Sequence, residues 1–406
     1  MKCRFCQSDL NDVFLDLGSA PPSNAFLDAS QLQAPELYFP LKLFTCGNCR
    51  LVQVDEVQSH DAIFDNDYVY FSSFSSSWLD HAGRYVDEAV ARLDLKASSL
   101  VMEIASNDGY LLQYVKERGI PCIGVEPTGG TADAARAKGV ETIGEFFGHE
   151  FARRFVRDRG KADLIVANNV FAHVPDVNDF TAGLSEVLAD DGTITIEFPH
   201  LMQLVAERQF DTVYHEHFSY FSLHTATAIF AAQGLAVWDV QELPTHGGSL
   251  RLWISHARVR TVTDRVELLL RREREAGMLD DAYYRDFQRK ADDVKNDCLQ
   301  FLIEQRAAGK RIAAYGAAAK GNTLLNYAGV RSDLLPFVVD ASPYKQGKWL
   351  PGSRIPVVEE TRLREEKPDF IWILPWNLRQ EIMAQLDYAR EWGARFVVAV
   401  PRLEVL

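Results

Sequence analysis

One stretch decides the fold of the middle of this chain, Val101-Met102-Glu103-Ile104-Ala105-Ser106-Asn107-Asp108-Gly109. An apolar strand runs into a turn of small and Asx residues, and a helix begins near Tyr110. In α/β proteins the backbone approaches a ligand at this point, beyond the carboxyl end of a strand and at the start of a helix. The stretch therefore predicts a ligand-binding strand-turn-helix.

The nature of the ligand follows from what surrounds this turn. Glu126 ends the next candidate strand, where a carboxylate can accept hydrogen bonds from both hydroxyls of a ribose. The G-x-G-x-x-G spacing of a dinucleotide site is missing, which favours an S-adenosylmethionine type of ligand over a dinucleotide. A purely structural strand-turn-helix is the alternative. The candidate cofactor-binding residues are Glu103, Ala105, Asn107, Asp108, Gly109, Glu126, Asn168 and Asn169.

Outward from this stretch, short apolar runs alternate with helical stretches, as in a parallel sheet covered by helices. The last two runs lie close together around a Gly-Gly turn, which predicts an antiparallel hairpin that closes the sheet. The candidate strands are residues 100–104, 123–126, 164–167, 193–198, 235–242 and 250–255.

The rest of the chain divides around this unit. Residues 263–308 are densely charged with apolar residues at helical spacing, which predicts bridging helices. Strand and helix alternate again from Arg311 onward, which indicates a second Rossmann-like unit. The fold class is therefore α/β, with three expected domains: a zinc-binding module at residues 1–70, a Rossmann-like domain at residues 71–258, and a helical linker with a C-terminal α/β domain at residues 259–406.

Four of the six cysteines form two C-x-x-C pairs, Cys3 with Cys6 and Cys46 with Cys49. Four thiolates with no open position are typical of structural zinc. Unrelated buried thiols or a redox pair are the alternatives. The pairs predict a Zn²⁺ ion that stabilises the fold and takes no part in catalysis.

Composition and charge exclude several classes of protein. The formal net charge of −14 argues against nucleic-acid binding, which depends on Lys and Arg at phosphates. No apolar run reaches the roughly 20 residues of a membrane span, and the chain opens without a secretory signal. We expect a cytoplasmic protein that is a monomer or a weak homo-oligomer.

The stretch from Phe210 to Tyr220 concentrates two imidazoles, carboxylates and phenols. A metal site is one interpretation, but His215 and His217 lack a third nearby ligand. Acid–base chemistry is the other, because His titrates near neutral pH and a neighbouring carboxylate tunes it. The residues alone leave both interpretations open.

Several motifs together resemble the sugar C-methyltransferases of deoxysugar biosynthesis. The resemblance spans nearly the whole chain, although the family commonly has glycine where this chain has Ala105. It rests on the four-cysteine head, E-I-x-x-N-D-G at residues 103–109, N-V-F-A-H-V-x-D at 169–176, Y-H-E-H-F-S-Y-F at 214–221, H-G-G-S-L-R at 246–251, and the K-G-N-T and D-x-S-P-x-K-Q-G elements of the last domain.

The resemblance implies methyl transfer from S-adenosylmethionine to C-3 of a nucleotide-linked 4-keto-deoxysugar through an enolate. It implies that His217 is the base, with His215 as the alternative, and that Tyr214 stabilises the enolate oxygen. Glu216, His173 and Tyr68 would support the sugar. The nucleotide sugar would be bound by Lys320, Asn322, Lys345, His246 and Arg251. Two rival functions stay open, an O- or N-methyltransferase and a non-catalytic nucleotide-sugar-binding scaffold.

Overall fold

A computed structural model describes residues 1–55 and 71–406. The N-terminal unit is a small antiparallel sheet with one 3-10 turn at Ala29–Gln31. The expected domain boundary at residue 70 lies outside the described residues. The strands of this unit are β1 (Asp12–Ala20), β2 (Phe39–Thr45) and β3 (Val52–Val54).

The middle unit contains all six predicted strands and two shorter ones that the sequence did not reveal. The alternation of apolar and polar residues is recognisable only over four or more residues, so it cannot reveal a strand of two residues. The strands are β4 (Val101–Ile104), β5 (Cys122–Val125), β6 (Thr142–Ile143), β7 (Ala162–Asn168), β8 (Leu188–Pro199), β9 (Ser219–Tyr220), β10 (Leu235–Leu243) and β11 (Ser249–His256). The helices are Ser76–Leu93, Leu112–Glu117, Gly129–Ala137, His149–Arg159, Val177–Val187, Leu201–Ala206 and Leu223–Ala231.

Seven of these strands form one Rossmann-like sheet in the order β10-β11-β8-β7-β4-β5-β6. Strand β11 is antiparallel to both its neighbours, so the predicted hairpin is confirmed. Strands β4 and β7 are parallel neighbours. The strand order reverses between them, because β5 and β6 follow on one side of β4 and β7 and β8 lie on the other. Such a topological switch point opens a crevice beyond the carboxyl ends of the two strands.

Strand β9 leaves this sheet and completes the N-terminal one, whose order is β1-β2-β3-β9. Val52 pairs with Tyr220 and Gln53 with Ser219. The segment just before β9, which holds Tyr214 and His217, is therefore anchored to the N-terminal unit although it belongs to the middle of the chain.

The last unit is a six-stranded sheet in the order β14-β13-β12-β15-β16-β17, parallel except for its final strand. Its switch point lies between β12 and β15. The strands are β12 (Ile312–Tyr315), β13 (Val338–Val339), β14 (Val357–Val358), β15 (Phe370–Ile373), β16 (Arg395–Val398) and β17 (Glu404–Val405). The helices are Ala319–Ala328, Thr361–Glu366 and Arg379–Gln385.

Three helices join the middle and last units, as the charged stretch predicted: Asp264–Glu275, Asp281–Arg285 and Phe287–Ala307. The first packs against β10, and the last contacts β1 and β12. None of the helices in the described part of the chain combines the length and apolar character that crossing a membrane requires.

Candidate active site

The four paired cysteines converge on one point. Their Sγ atoms all lie within 4.8 Å of one another, and the Cys3–Cys49 and Cys6–Cys46 sulfur pairs are 3.5 Å apart. Four thiolates around Zn²⁺ at about 2.3 Å place neighbouring sulfurs about 3.8 Å apart. The residues therefore fit a tetrahedral zinc site.

The turn after β4 has a backbone that most residues avoid. Ala105, Asn107 and Gly109 have φ angles of 51°, 49° and 74°, in the left-handed region. A Cβ at Gly109 would lie 3.3 Å from both the Ala135 and Val140 side chains. A left-handed backbone conformation costs a residue other than glycine about 1 kcal/mol or more of conformational free energy, and it tends to occur at functional sites. The conformation also explains why glycine suits position 105.

Glu126 holds this turn in place. Its Oε2 accepts a hydrogen bond from the Asn107 backbone N–H at 2.8 Å, and its Oε1 accepts one from the Thr128 backbone N–H at 2.9 Å. The Asn107 Oδ1 accepts from the Ser72 backbone N–H at 2.9 Å. The carboxylate is buried at the carboxyl end of β5.

Two further acidic residues flank the turn. Glu103 lies within β4, and burial raises its pKa well above the ordinary value. Asp108 accepts from the Lys138 ammonium at 3.2 Å. Both side chains are buried.

The end of β7 supplies polar groups on the other side of the switch point. Both side-chain amide atoms of Asn168, and Oδ1 of Asn169, are buried without a hydrogen-bond partner among the described residues. Buried amide atoms are seldom left in that state, because each one costs desolvation free energy. With the Glu126 turn opposite, this edge fits the polar adenosyl and amino-acid groups of S-adenosylmethionine.

His217 lies beside this edge, and a hydrogen bond determines which of its ring nitrogens carries the proton. Its Nδ1 is 3.2 Å from the Thr212 carbonyl oxygen. A carbonyl can only accept, so Nδ1 carries the proton and Nε2 has a free lone pair. The His217 ring lies 4.6 Å from the His173 ring and 4.0 Å from the Tyr214 ring. Burial and the neighbouring His173 hold the pKa of His217 well below its ordinary value, so the ring is neutral near pH 7.

His215 faces the other way. Its Nε2 donates to the Phe39 carbonyl oxygen at 3.3 Å, and its ring meets the Phe39 ring edge-on at 6.1 Å. His215 therefore contacts β2 of the N-terminal sheet. Within the described ranges, only the four cysteines form a convergent group of three or more potential metal ligands, so the His-x-His pair does not make one.

Glu216 lies between the two histidines and is buried. Its Oε1 accepts from the Asn24 amide at 2.9 Å, and burial raises its pKa to about 7. The His173 ring donates to the Glu216 backbone carbonyl, while burial lowers the pKa of His173 to about 4. Tyr68 lies outside the described residues.

The last unit faces the same cleft through Lys320. Its ammonium donates to the Asn377 Oδ1 at 2.7 Å and lies 4.7 Å from the centre of the Trp376 ring. Burial lowers the pKa of Lys320, and its charge contributes to lowering the pKa values of His217 and His246. Lys320 thus belongs to the same cluster as the two histidines.

His246 joins this cluster from the turn between β10 and β11. It has a φ of 54°, and its Nε2 lies 3.3 Å from the Asn169 amide nitrogen. The remaining three predicted substrate-binding residues make contacts within the fold. Arg251 pairs with buried Glu197 at 2.9 Å, the Asn322 amide donates to the Ser23 carbonyl at 3.4 Å, and the Lys345 ammonium donates to the Ala317 carbonyl at 2.9 Å.

The sequence did not single out Asp211 and Trp376, which join the middle and last units. The Trp376 Nε1 donates to the Asp211 Oδ2 at 2.7 Å, and burial raises the pKa of Asp211 to about 6. Trp376 follows the buried strand β15, and several of the predicted site residues also follow a strand. This position after a strand is the sequence signal that could have identified Trp376. Asn24 offered none, because its partner Glu216 is remote in sequence.

Three family models match successive parts of the chain. Residues 3–64 match the model described as "Putative zinc binding domain", residues 78–240 match "Methyltransferase domain", and residues 244–401 match "C-methyltransferase C-terminal domain". The C-methyltransferase NovU of Streptomyces niveus is 35% identical over 407 residues, which cover 100% of this chain and 96% of that protein.

Solved structures resemble the chain only partly. The magnesium protoporphyrin IX methyltransferase of Synechocystis PCC 6803, solved with bound SAM, has a TM-score of 0.35 and 15% identity over 48% of this chain and 89% of its own. A SAM-dependent methyltransferase from Anabaena variabilis has a TM-score of 0.35 and 13% identity over 43% of this chain and 84% of its own.

The full-length match to a C-methyltransferase and the three successive domain matches agree with the four-thiolate site and the Rossmann-like sheet. S-adenosylmethionine is the methyl donor of this Rossmann-like domain, and zinc is the metal of the N-terminal module. The chain belongs to the sugar C-methyltransferase family.

Proposed function

We propose that this chain methylates C-3 of a nucleotide-linked 4-keto-deoxysugar through an enolate. One observation carries the proposal. The Thr212 carbonyl fixes the proton on Nδ1 of His217, which leaves the Nε2 lone pair available in a buried cleft beside the donor site. A base of this kind is needed for methylation at carbon, whereas binding alone requires none.

The chemistry follows from the acidity of a C–H bond beside a ketone. His217 Nε2 takes the proton from C-3, and the electron pair of the broken bond moves toward the C-4 oxygen. Tyr214, whose ring is 4.0 Å from the His217 ring, stabilises the charge on that oxygen. When bound, S-adenosylmethionine would supply an electrophilic sulfonium methyl group, to which the C-3 carbon forms a bond while the methyl–sulfur bond breaks and its electron pair stays on the sulfur of the departing S-adenosylhomocysteine.

The remaining predicted residues have supporting roles in this proposal. Burial raises the pKa of Glu216 to about 7, so its acid form can donate a hydrogen bond to the sugar. His173 and His246 orient the sugar, and Tyr68 supports it. Lys320 lies at the phosphate side. Arg251 supports the site through its ion pair with Glu197 on β8, and Asn322 and Lys345 support it through hydrogen bonds to backbone carbonyls.

Hydrogen exchange tests the carbon-acid step separately from methyl transfer. The enzyme is incubated in D₂O with candidate nucleotide 4-keto-sugars and without methyl donor, and deuterium at C-3 is followed by NMR. We expect uptake with the native chain and a loss of about 100-fold or more in His217→Asn, because general bases contribute about 10²- to 10⁴-fold. His215→Asn is the matched control, since that ring faces β2, and should keep the rate within a few-fold.

The same NMR spectra decide between the rival functions. A new methyl signal on C-3 supports the proposal, whereas one on oxygen or nitrogen would favour the O- or N-methyltransferase. A substrate that is methylated without any deuterium uptake would rule out the enolate route. Binding of nucleotide sugars with neither reaction would favour the scaffold.

A further inference from the structure

The carbonyl that fixes the proton of His217 belongs to a turn that the last unit contacts. Thr212 ends the 3-10 turn Phe210–Thr212, and Val213 continues in extended backbone. This turn contacts helix Ala319–Ala328 of the last unit. The Thr212 oxygen lies 3.2 Å from Nδ1 of His217, at the long end of the range for N–H···O hydrogen bonds. A small displacement of the turn would therefore break this bond.

Two hydrogen bonds from the last unit flank that carbonyl. On the side of Asp211, the Trp376 Nε1 donates to the carboxylate Oδ2 at 2.7 Å. On the side of Val213, the Thr323 hydroxyl donates to the backbone carbonyl oxygen at 2.9 Å. Asp211, Val213 and Thr323 are buried, and a buried polar group that loses its partner costs free energy. The residues before and after Thr212 are thus both held by the last unit.

The two donors of the last unit are themselves confined. A Cβ on Gly247 would lie only 2.4 Å from the Trp376 ring, so the ring packs directly on the backbone of the turn after β10. The Lys320 ammonium lies 4.7 Å from the centre of the same ring. Lys320 and Thr323 are three residues apart on one helix and therefore share a face. The packing fixes the indole N–H, and the helix fixes the hydroxyl.

The position of the Thr212 carbonyl matters because a neutral imidazole carries its proton on either nitrogen. The hydrogen bond made by one nitrogen decides which tautomer predominates. Burial and the neighbouring His173 hold the pKa of His217 well below its ordinary value, so the ring is neutral near pH 7. With the proton on Nδ1, Nε2 can accept a proton. With the proton on Nε2, that nitrogen can only donate, and it cannot serve as the base.

We propose that Trp376, Asp211 and Thr323 are positioning residues for the base. They hold the Thr212 carbonyl where it accepts from Nδ1 of His217, and they thereby keep the Nε2 lone pair available. This role rests on the proposed function, in which His217 removes the proton from C-3. The last unit then does more than bind substrate, because its hydrogen bonds select the tautomer that can act as the base.

Nitrogen-15 NMR of the histidine-labelled chain without substrate reads the tautomer, because protonated and unprotonated ring nitrogens differ in chemical shift. Signals that vanish in His217→Asn identify this ring. We expect the proton on Nδ1 in the native chain. Trp376→Phe and Thr323→Val should each shift the tautomer ratio toward the Nε2-protonated form about 3- to 10-fold, which corresponds to the loss of one hydrogen bond. The double variant should shift the ratio further.

A conservative variant separates positioning from a general loss of packing. Asp211→Asn keeps an oxygen for the Trp376 N–H and should retain the native tautomer ratio. Asp211→Ala removes that oxygen and should behave like Trp376→Phe. A native ratio in folded Asp211→Ala would contradict the role of this hydrogen bond.

Two matched controls remove similar groups without touching the turn. Trp392→Phe removes an indole N–H that donates to the Pro368 carbonyl oxygen at 3.1 Å, within the last unit. Ser23→Ala removes a hydroxyl that lies 3.4 Å from the Thr323 hydroxyl but leaves the bond from Thr323 to Val213. Both variants should keep the native tautomer ratio, and the melting temperature establishes that every variant is folded.

The tautomer and the C-3 exchange are measured separately, so the two proposals can fail separately. A shifted ratio in Trp376→Phe and Thr323→Val supports the positioning role even if no sugar exchanges at C-3. Native ratios in both folded variants would overturn the positioning role, even if His217→Asn abolishes exchange. A native chain with the proton of His217 on Nε2 would also overturn it.

Discussion

The middle and last units each present the carboxyl ends of their strands to the same cleft, but the polar groups at the two edges differ. The donor edge, defined by Asn107, Glu126, Asn168 and Asn169, carries amides and a carboxylate. The edge of the last unit, defined by Lys320, Trp376 and Arg379, carries cations and an aromatic ring. Both lie at a switch point of a largely parallel sheet.

This difference indicates that the fold determines where a ligand binds, whereas the residues at the edge determine which ligand binds. A donor with a positive sulfonium is poorly served by further cations, whereas a diphosphate requires them. The segment with Tyr214 and His217 lies between the two edges, and the Val213 carbonyl oxygen just before it accepts a hydrogen bond from the Thr323 hydroxyl of the last unit at 2.9 Å. It continues into β9, which pairs with β3 of the zinc-binding unit.

The largest expected effect comes from removing the zinc, because this would release the segment between the edges. Cys46→Ser should abolish stoichiometric zinc and unfold the N-terminal unit, since zinc contributes on the order of 10 kcal/mol to the folding of small zinc domains. The β3–β9 pairing and the Asn24–Glu216 hydrogen bond would be lost with it. Zinc content by mass spectrometry and the melting temperature measure the effect.

The matched control for this prediction is Cys122→Ser. Cys122 is half-buried at the start of β5 and lies outside the four-thiolate cluster. This variant should keep its zinc and melt within a few degrees of the native chain. A Cys46→Ser chain without zinc that melts like the native one would contradict the anchoring role.

How much the sequence could predict depends on the range of the interactions. The C-x-x-C pairs and the strand ending at Ile104 are local patterns, and each was recognised from its own residues. Pairing of β9 with β3 and the Asn24–Glu216 contact join distant segments, so no local pattern reveals them. His215 and His217 are only two residues apart, and the contacts on either side of the segment decide which of them faces the cleft.

A pH-dependent effect of about 3 kcal/mol should follow from Glu216, which lies between the edges. Burial raises its pKa from 4.5 to about 7, so the folded chain retains a proton that the unfolded chain releases. Stability from this group is full below pH 4.5 and is lost as pH rises through 7. Glu216→Gln keeps an oxygen for Asn24 and should be more stable than the native chain at pH 8, but not at pH 5.

Denaturant unfolding of both chains at pH 5 and pH 8 measures this difference. The comparison between chains is necessary because the lowered pKa values of His173 and His246, each about 4, act in the opposite direction. The contribution of these two histidines to the stability of the fold is lost as pH falls from 6.5 through 4. If Glu216→Gln and the native chain were equally stable at pH 8, ionising Glu216 would cost the folded chain little free energy, which would contradict the raised pKa.

The smallest of these effects separates the two edges directly. In Glu126→Gln, one acceptor oxygen becomes an amide that faces a backbone N–H of Asn107 or Thr128, so the turn at the donor edge loosens. We expect S-adenosylmethionine to bind about 10- to 100-fold more weakly, which corresponds to a lost charged hydrogen bond, with nucleoside diphosphate affinity unchanged within twofold. Calorimetry with each ligand measures both, and Glu141→Gln, an exposed position paired with Arg159, should alter neither. If Glu126→Gln weakened both ligands equally, the edges would form one coupled site, and their opposite polar groups could not be assigned to separate ligands.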